Sequence, residues 1–177
     1  MKFLTLSEKD IKNPQIYHSI KLPHIVISIS GEADKETVVP NNQYRESILH
    51  LKFDDVSDID GRYLYFTREQ ARDILEFVDK YINRVQLIIV QCHAGLSRSV
   101  AVAAALSKII NYSDDDVFTK GIPNMFVYTT LLDTFFGEND WYLRYSKINT
   151  IRTKQMGMYL TPAHIRLYLA KEQKRES

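Results

Sequence analysis

A single cysteine, Cys92, stands in the run Gln91-Cys92-His93-Ala94-Gly95-Leu96-Ser97-Arg98-Ser99. Apolar Leu87-Ile88-Ile89-Val90 precedes it, and Val100-Ala101-Val102-Ala103-Ala104-Ala105-Leu106 follows. A strand that ends in a turn of small residues and gives way to a helix gathers the turn's N–H groups and the helix's positive end at one point. Such a point binds anions. Five residues separate the thiol from Arg98, whose planar guanidinium can grip the same anion with two parallel hydrogen bonds. Most lone cysteines are small buried hydrophobes. Given a cysteine, however, Gly at the third position, Arg at the sixth and Ser at the seventh coincide on the order of once in several thousand by average usage. The residues therefore favour a nucleophilic thiol beside a bound oxyanion.

This loop resembles the phosphate-binding loop of the cysteine-dependent phosphatases. In that chemistry the Cys92 thiolate attacks phosphorus in line, while Arg98 and the backbone amides of His93, Ala94, Gly95, Leu96 and Ser97 hold the equatorial oxygens. Gly95 suits a backbone that must approach the phosphate closely. Ser99 can hydrogen-bond the sulfur as it leaves; a simple helix cap is the lesser alternative there. An oxygen leaving group needs a proton donor that later activates water. Phe53-Asp54-Asp55-Val56-Ser57-Asp58-Ile59-Asp60, after an upstream strand, offers candidates. His93 is expected to be an exposed loop side chain. His18, His24, His50 and His164 have no metal-ligand spacing, so neither a metal nor another cofactor is expected.

The loop requires a scaffold. A chain of 177 residues is long enough for one domain with a substantial core. Its composition, 45% hydrophobic and 25% charged with net charge +1, is that of a globular protein without a broad electrostatic grip on nucleic acid or membrane. One cysteine excludes an internal disulfide and suits a reducing compartment. No apolar run approaches a membrane span, and polar Ser7-Glu8-Lys9-Asp10 comes too early for a signal peptide's apolar core. A cytoplasmic protein is expected; the oligomeric state is open.

Residues 25–30, β-branched and closed by Gly31, and the alternating stretch 48–53 predict two strands. Thr67-Arg68-Glu69-Gln70 is a capping box. Ala71, Ile74, Leu75, Val78 and Ile82 follow at helical spacing, which predicts a helix to about Asn83. The apolar run 86–90 predicts a strand covered on both faces. Strand, helix and strand in that order imply an α/β fold with a mostly parallel central sheet flanked by helices, and place Cys92 at a strand's carboxyl end, where such sheets bind ligands. A buried helix should run from Arg98 to Asn111, a short helix and turn over 113–121, and a further helix over 125–136. Residues 1–137 thus make the core. Beyond them, Trp141, Tyr142, Tyr145 and Tyr159 interleave with Arg144, Lys147, Arg152 and Lys154. This pattern is read as a C-terminal aromatic and basic helical extension, 138–177, packed on the core, with a last helix begun by Thr161-Pro162.

The resemblance extends over about residues 24–137, and implies a protein tyrosine phosphatase-like domain of dual-specificity size. His24-Ile25-Val26-Ile27-Ser28-Ile29, Pro123-Asn124-Met125-Phe126 and Leu131-Leu132-Asp133 are similar to segments of a bacterial and phage branch of predicted tyrosine phosphatases. In dual-specificity phosphatases the acid follows a strand some thirty-odd residues before the cysteine, as the second acidic residue after an apolar–x–apolar step. Leu51-Lys52-Phe53-Asp54-Asp55 matches, which makes Asp55 the first choice for the acid and Asp58 the second. The implied activity is hydrolysis of phosphotyrosine, with phosphoserine and phosphothreonine open, in a phosphorylated protein or peptide, through a cysteinyl-phosphate. One departure is Gln91, where the family has His; weakened turnover is expected from it. The competing readings are a pseudophosphatase that binds phosphorylated partners and an RNA 5′-triphosphatase on the same scaffold.

Overall fold

The computed structural model describes residues 1–56 and 63–137. The expectations for Trp141 onward lie outside the described residues. Met1–Gly137 forms one compact unit. Its elements in chain order are β1 (Lys2–Ser7), α1 (Glu8–Lys12), α2 (Pro14–Tyr17), β2 (His24–Ser30), β3 (Arg45–Lys52), α3 (Arg68–Tyr81), β4 (Leu87–Cys92), α4 (Arg98–Asn111), α5 (Asp115–Phe118) and α6 (Met125–Phe136). The four strands form one sheet in the order β1-β4-β2-β3. Every neighbouring pair is parallel.

The sheet's two faces follow from the alternation of side chains along a strand. Leu87 and Ile89 of β4 join Val26 of β2 and Leu6 of β1 in a cluster closed by Ile11 and Tyr17, which belong to α1 and α2. The alternate residues Ile25, Ile27, Ile29, Ile88 and Val90 are all fully buried as well. β2 and β4 are therefore covered on both sides, as their unbroken apolar runs require. α4 packs against β4 and β1 and also against α6. Its first ten residues are buried, which explains why it carries no polar stripe.

α3 begins with the full capping box: Gln70 N donates to Thr67 Oγ1, and Thr67 N to Gln70 Oε1. It ends at Tyr81, two residues before the expected boundary. α5 is a single turn within the expected 113–121 segment. Three elements differ from the sequence reading, which assigned nothing to β1, α1 and α2. β1 is a short edge strand whose one neighbour is β4, so its stability lies in a ladder that local sequence does not reveal. α1 and α2 are five and four residues long, held by the caps of Ser7 and Asn13 rather than by any apolar period. Among the described residues no helix is long and apolar enough to cross a membrane.

Candidate active site

β4 ends at Cys92 and α4 opens at Arg98, so residues 93–97 form the intervening turn. Cys92 is buried, and its Sγ lies 3.2 Å from Ser99 Oγ, in hydrogen-bond contact. Arg98 is buried too, at 6% exposure. Its Nη1 donates to the carbonyl of Phe53 at 2.7 Å. Its Nε is buried with no hydrogen-bond partner.

The turn is braced from two sides. On one, β1 runs in register with β4, Ser7 opposite Cys92. Gly95 takes φ +73°, and a Cβ there would stand 2.6 Å from Ser7 N and 2.8 Å from the Leu6 carbonyl carbon. Only glycine allows both that backbone and that approach. Glu8 N donates to the His93 carbonyl at 3.1 Å. The His93 side chain, 74% exposed, puts Nδ1 3.3 Å from Glu8 Oε2. Hydrogen bonding from Lys12, and secondarily from His93, holds the Glu8 carboxyl below its ordinary 4.5. On the other side, the α5–α6 connection donates Ile122 N to Leu96 O at 2.9 Å and Asn124 N to Ser97 O at 3.4 Å. Ala94 and Leu96 face outward, and Ser97 is half-buried.

The two aspartates after β3 have different surroundings. Asp54 ties two loops together: Glu32 N, after β2, donates to Oδ1 at 3.0 Å, and Leu64 N, in its own loop, to Oδ2 at 3.0 Å. Asp55 is exposed and turned to the Cys92 turn, where Ser97 Oγ donates to its Oδ1 at 2.8 Å. Asn124 Nδ2 donates to the same oxygen at 2.8 Å. The structure thus brings Cys92, Ser99, Arg98, Ser97 and Asp55 into one connected neighbourhood. Asp58 and Asp60 lie outside the described residues.

No protein-family model and no curated protein matches the chain. Solved structures do. A human tyrosine phosphatase-like serine/threonine/tyrosine-interacting protein superimposes with a TM-score of 0.53 at 19% identity, over 80% of this chain and 93% of the other. Human DUSP28 gives 0.54 at 13% identity, over 81% and 94%. A mouse putative dual specificity phosphatase complexed with zinc tungstate gives 0.52 at 15%, over 80% and 84%. The fold is that of the dual-specificity phosphatases. On that fold the α/β, mostly parallel architecture expected from the strand and helix pattern stands.

Several residues of the site were not evident from sequence. Asn124 was visible as a helix start before α6, and its second role, reaching Asp55 across 69 positions, has no local signal. Gly121 is a further case. A Cβ on it would lie 2.3 Å from Leu96 O, so the α5–α6 connection passes flush against the turn. Gln91 is fully buried, accepting from Ser28 Oγ at 2.7 Å through Oε1 while its Nε2 has no partner. Among the described residues no three of His, Cys, Asp and Glu gather as a metal site.

Proposed function

We propose that this chain is a cysteine-dependent phosphatase acting on phosphotyrosine in a phosphorylated protein or peptide, with phosphoserine and phosphothreonine as secondary substrates. The observation that carries the reading is Arg98: a buried guanidinium at the far end of the turn from a buried thiol, with a carbonyl contact, an Nε that has no partner and, among the described residues, no carboxylate paired with it. A buried cation without a counter-charge is costly. Here that cost is offset when an anion occupies the turn, and a phosphate monoester presents the oxygens that the guanidinium and the turn's N–H groups would meet.

In this mechanism Cys92 Sγ attacks phosphorus as the thiolate. The bond to the leaving oxygen breaks, and Asp55 protonates that oxygen. Water, deprotonated by Asp55, then displaces the sulfur, whose returning charge is met by the Ser99 hydroxyl 3.2 Å away. The side chains of Ala94, Leu96 and Ser97 are neutral, which suits a single phosphate and offers nothing to grip additional ones. A non-catalytic phosphate-binding role is the second reading, favoured by Gln91 and its unpartnered Nε2 one residue before the nucleophile.

Hydrolysis of an aryl phosphate across pH decides between them. Wild type should release phosphate and Cys92→Ser none, while Asp55→Ala should lose about 10²- to 10³-fold in kcat together with the basic limb of the profile. A folded wild type that binds vanadate or a phosphopeptide yet releases no phosphate would establish the non-catalytic role.

A further inference from the structure

Asp55 is exposed, yet one of its oxygens is doubly engaged: Oδ1 receives both Ser97 Oγ and Asn124 Nδ2, each at 2.8 Å. No hydrogen bond reaches Oδ2 among the described residues. Neither donor is there by accident of the surface. Ser97 occupies the N-cap position of α4, where a serine ordinarily accepts from the helix's free N–H groups, but it makes no cap bond. Its hydroxyl is turned to Asp55 instead.

Asn124 is 8% exposed and has every polar atom of its amide assigned. Val127 N donates to its Oδ1 at 3.2 Å, capping α6, and its Nδ2 donates to Val56 O at 3.2 Å as well as to Asp55. An N–H can be met only by the amide oxygen and a carbonyl only by the amide nitrogen, so the amide cannot be turned round. The atom facing Asp55 is therefore a donor. The charged groups around this loop among the described residues include Arg98, which holds Phe53 O, Asp54, which is tied to the Glu32 and Leu64 amides, and Asp34 with Lys52 on its carbonyl.

Resting on the reading of Asp55 as the acid, we propose that Ser97 and Asn124 are positioning residues that clamp Oδ1 of Asp55 and leave Oδ2 to carry the transferred proton. Two donors on one oxygen concentrate negative charge there, so in the acid form the proton sits on the other. As the phosphorus–oxygen bond breaks, its electron pair stays on the leaving oxygen, and that oxygen takes the Oδ2 proton. In the second step Oδ2 takes a proton from water as the water oxygen bonds phosphorus, and the sulfur–phosphorus pair returns to Cys92. The clamp aims Oδ2 and stabilises the carboxylate left behind. Without it, Oδ2 is no longer held toward the leaving oxygen, and proton transfer to that oxygen slows.

The test compares kcat against pH for phenyl phosphate, whose leaving group must be protonated, and for a fluorinated coumarin phosphate, whose leaving group departs as the anion. Full-length Ser97→Ala and Asn124→Asp are assayed beside Asp55→Ala; the aspartate at 124 keeps an oxygen for the α6 cap and removes the donor. Each clamp variant should lose about tenfold more on phenyl phosphate than on the coumarin ester. Equal losses on both esters would overturn the clamp and leave Ser97 and Asn124 as simple loop supports. If Asp55→Ala itself keeps the limb, the assignment of the acid fails and the clamp with it. If Asp55→Ala loses the limb but Ser97→Ala and Asn124→Asp lose equally on both esters, the clamp alone fails. Should Asn124→Asp not fold by thermal melting, Ser97→Ala decides.

Discussion

One peptide bond separates Asp54, whose two oxygens take the N–H groups of Glu32 and Leu64, from Asp55, whose Oδ1 takes Ser97 and Asn124. The first joins the loop after β2 to the loop after β3, and the second reaches the turn that holds the thiol. Charge-assisted bonds of the first kind each contribute about 1.5–3 kcal/mol when broken. Asp54→Ala should therefore lower the melting temperature by several degrees, while Asp55→Ala leaves it within about a degree and removes activity. A melting curve and a rate measured on the same two preparations check this, and reversed effects would exchange the two roles. The residues by themselves placed the acid somewhere in 54–60, because four aspartates in a polar loop are chemically alike, and only the family resemblance put Asp55 ahead of Asp58. What distinguishes Asp54 from Asp55 is the partners that β2, α4 and α6 bring up, and none of these is near in sequence. Cys92, Arg98 and Ser99 were legible for the opposite reason. Their chemistry depends on spacing within a single strand–turn–helix unit.

At the scale of elements, the turn after Cys92 is held in shape by its neighbours. β1 supplies Ser7 against Gly95, the start of α1 supplies the Glu8 amide to His93, and the α5–α6 connection supplies the Ile122 and Asn124 amides to Leu96 and Ser97. A phosphate-binding turn works only if its N–H groups stay aimed at one point, so these backbone braces are part of the site's preorganisation. Gly121 tests the idea without touching the site's side chains. Its backbone is not in the left-handed region, but a methyl group there would meet Leu96 O at 2.3 Å and must displace either the connection or the turn. Gly121→Ala should cost about tenfold or more in kcat/KM for an aryl phosphate, with a near-normal far-ultraviolet circular dichroism spectrum. Unchanged kinetics would show that the turn needs no brace on that side. The long elements α3, α4, β2 and β4 could be read from periodicity and apolar runs. β1, α1 and α2 could not, being too short for a period and dependent on the ladder and caps around them.

Over the whole molecule, stability against acid depends on a buried histidine remote in kind from the catalytic chemistry. His24 opens β2, is fully buried, and joins the sheet to the helical segment before it. Its Nδ1 lies 2.8 Å from Leu22 O, which can only accept, so Nδ1 carries the proton and Nε2 accepts from Tyr17 O–H at 3.0 Å. The neutral ring thus satisfies both bonds, and a second ring proton would face the Tyr17 hydroxyl's own. Burial holds the imidazole below its ordinary 6.5; the Leu22 carbonyl pushes the other way and the Arg45 charge adds to the lowering. The unfolded chain then binds this proton at a higher pH than the folded one. Stability from His24 is complete above 6.5 and is lost as the pH falls below it. Glu8, also held low when folded, begins to lose its contribution only as the pH falls to its ordinary 4.5, below the interval in which the loss from His24 begins. Urea midpoints measured between pH 7.5 and 5 should fall with acidity in the wild type, while His24→Gln should start lower and stay flatter across that interval. An equal slope in both proteins would mean that another group governs the decline.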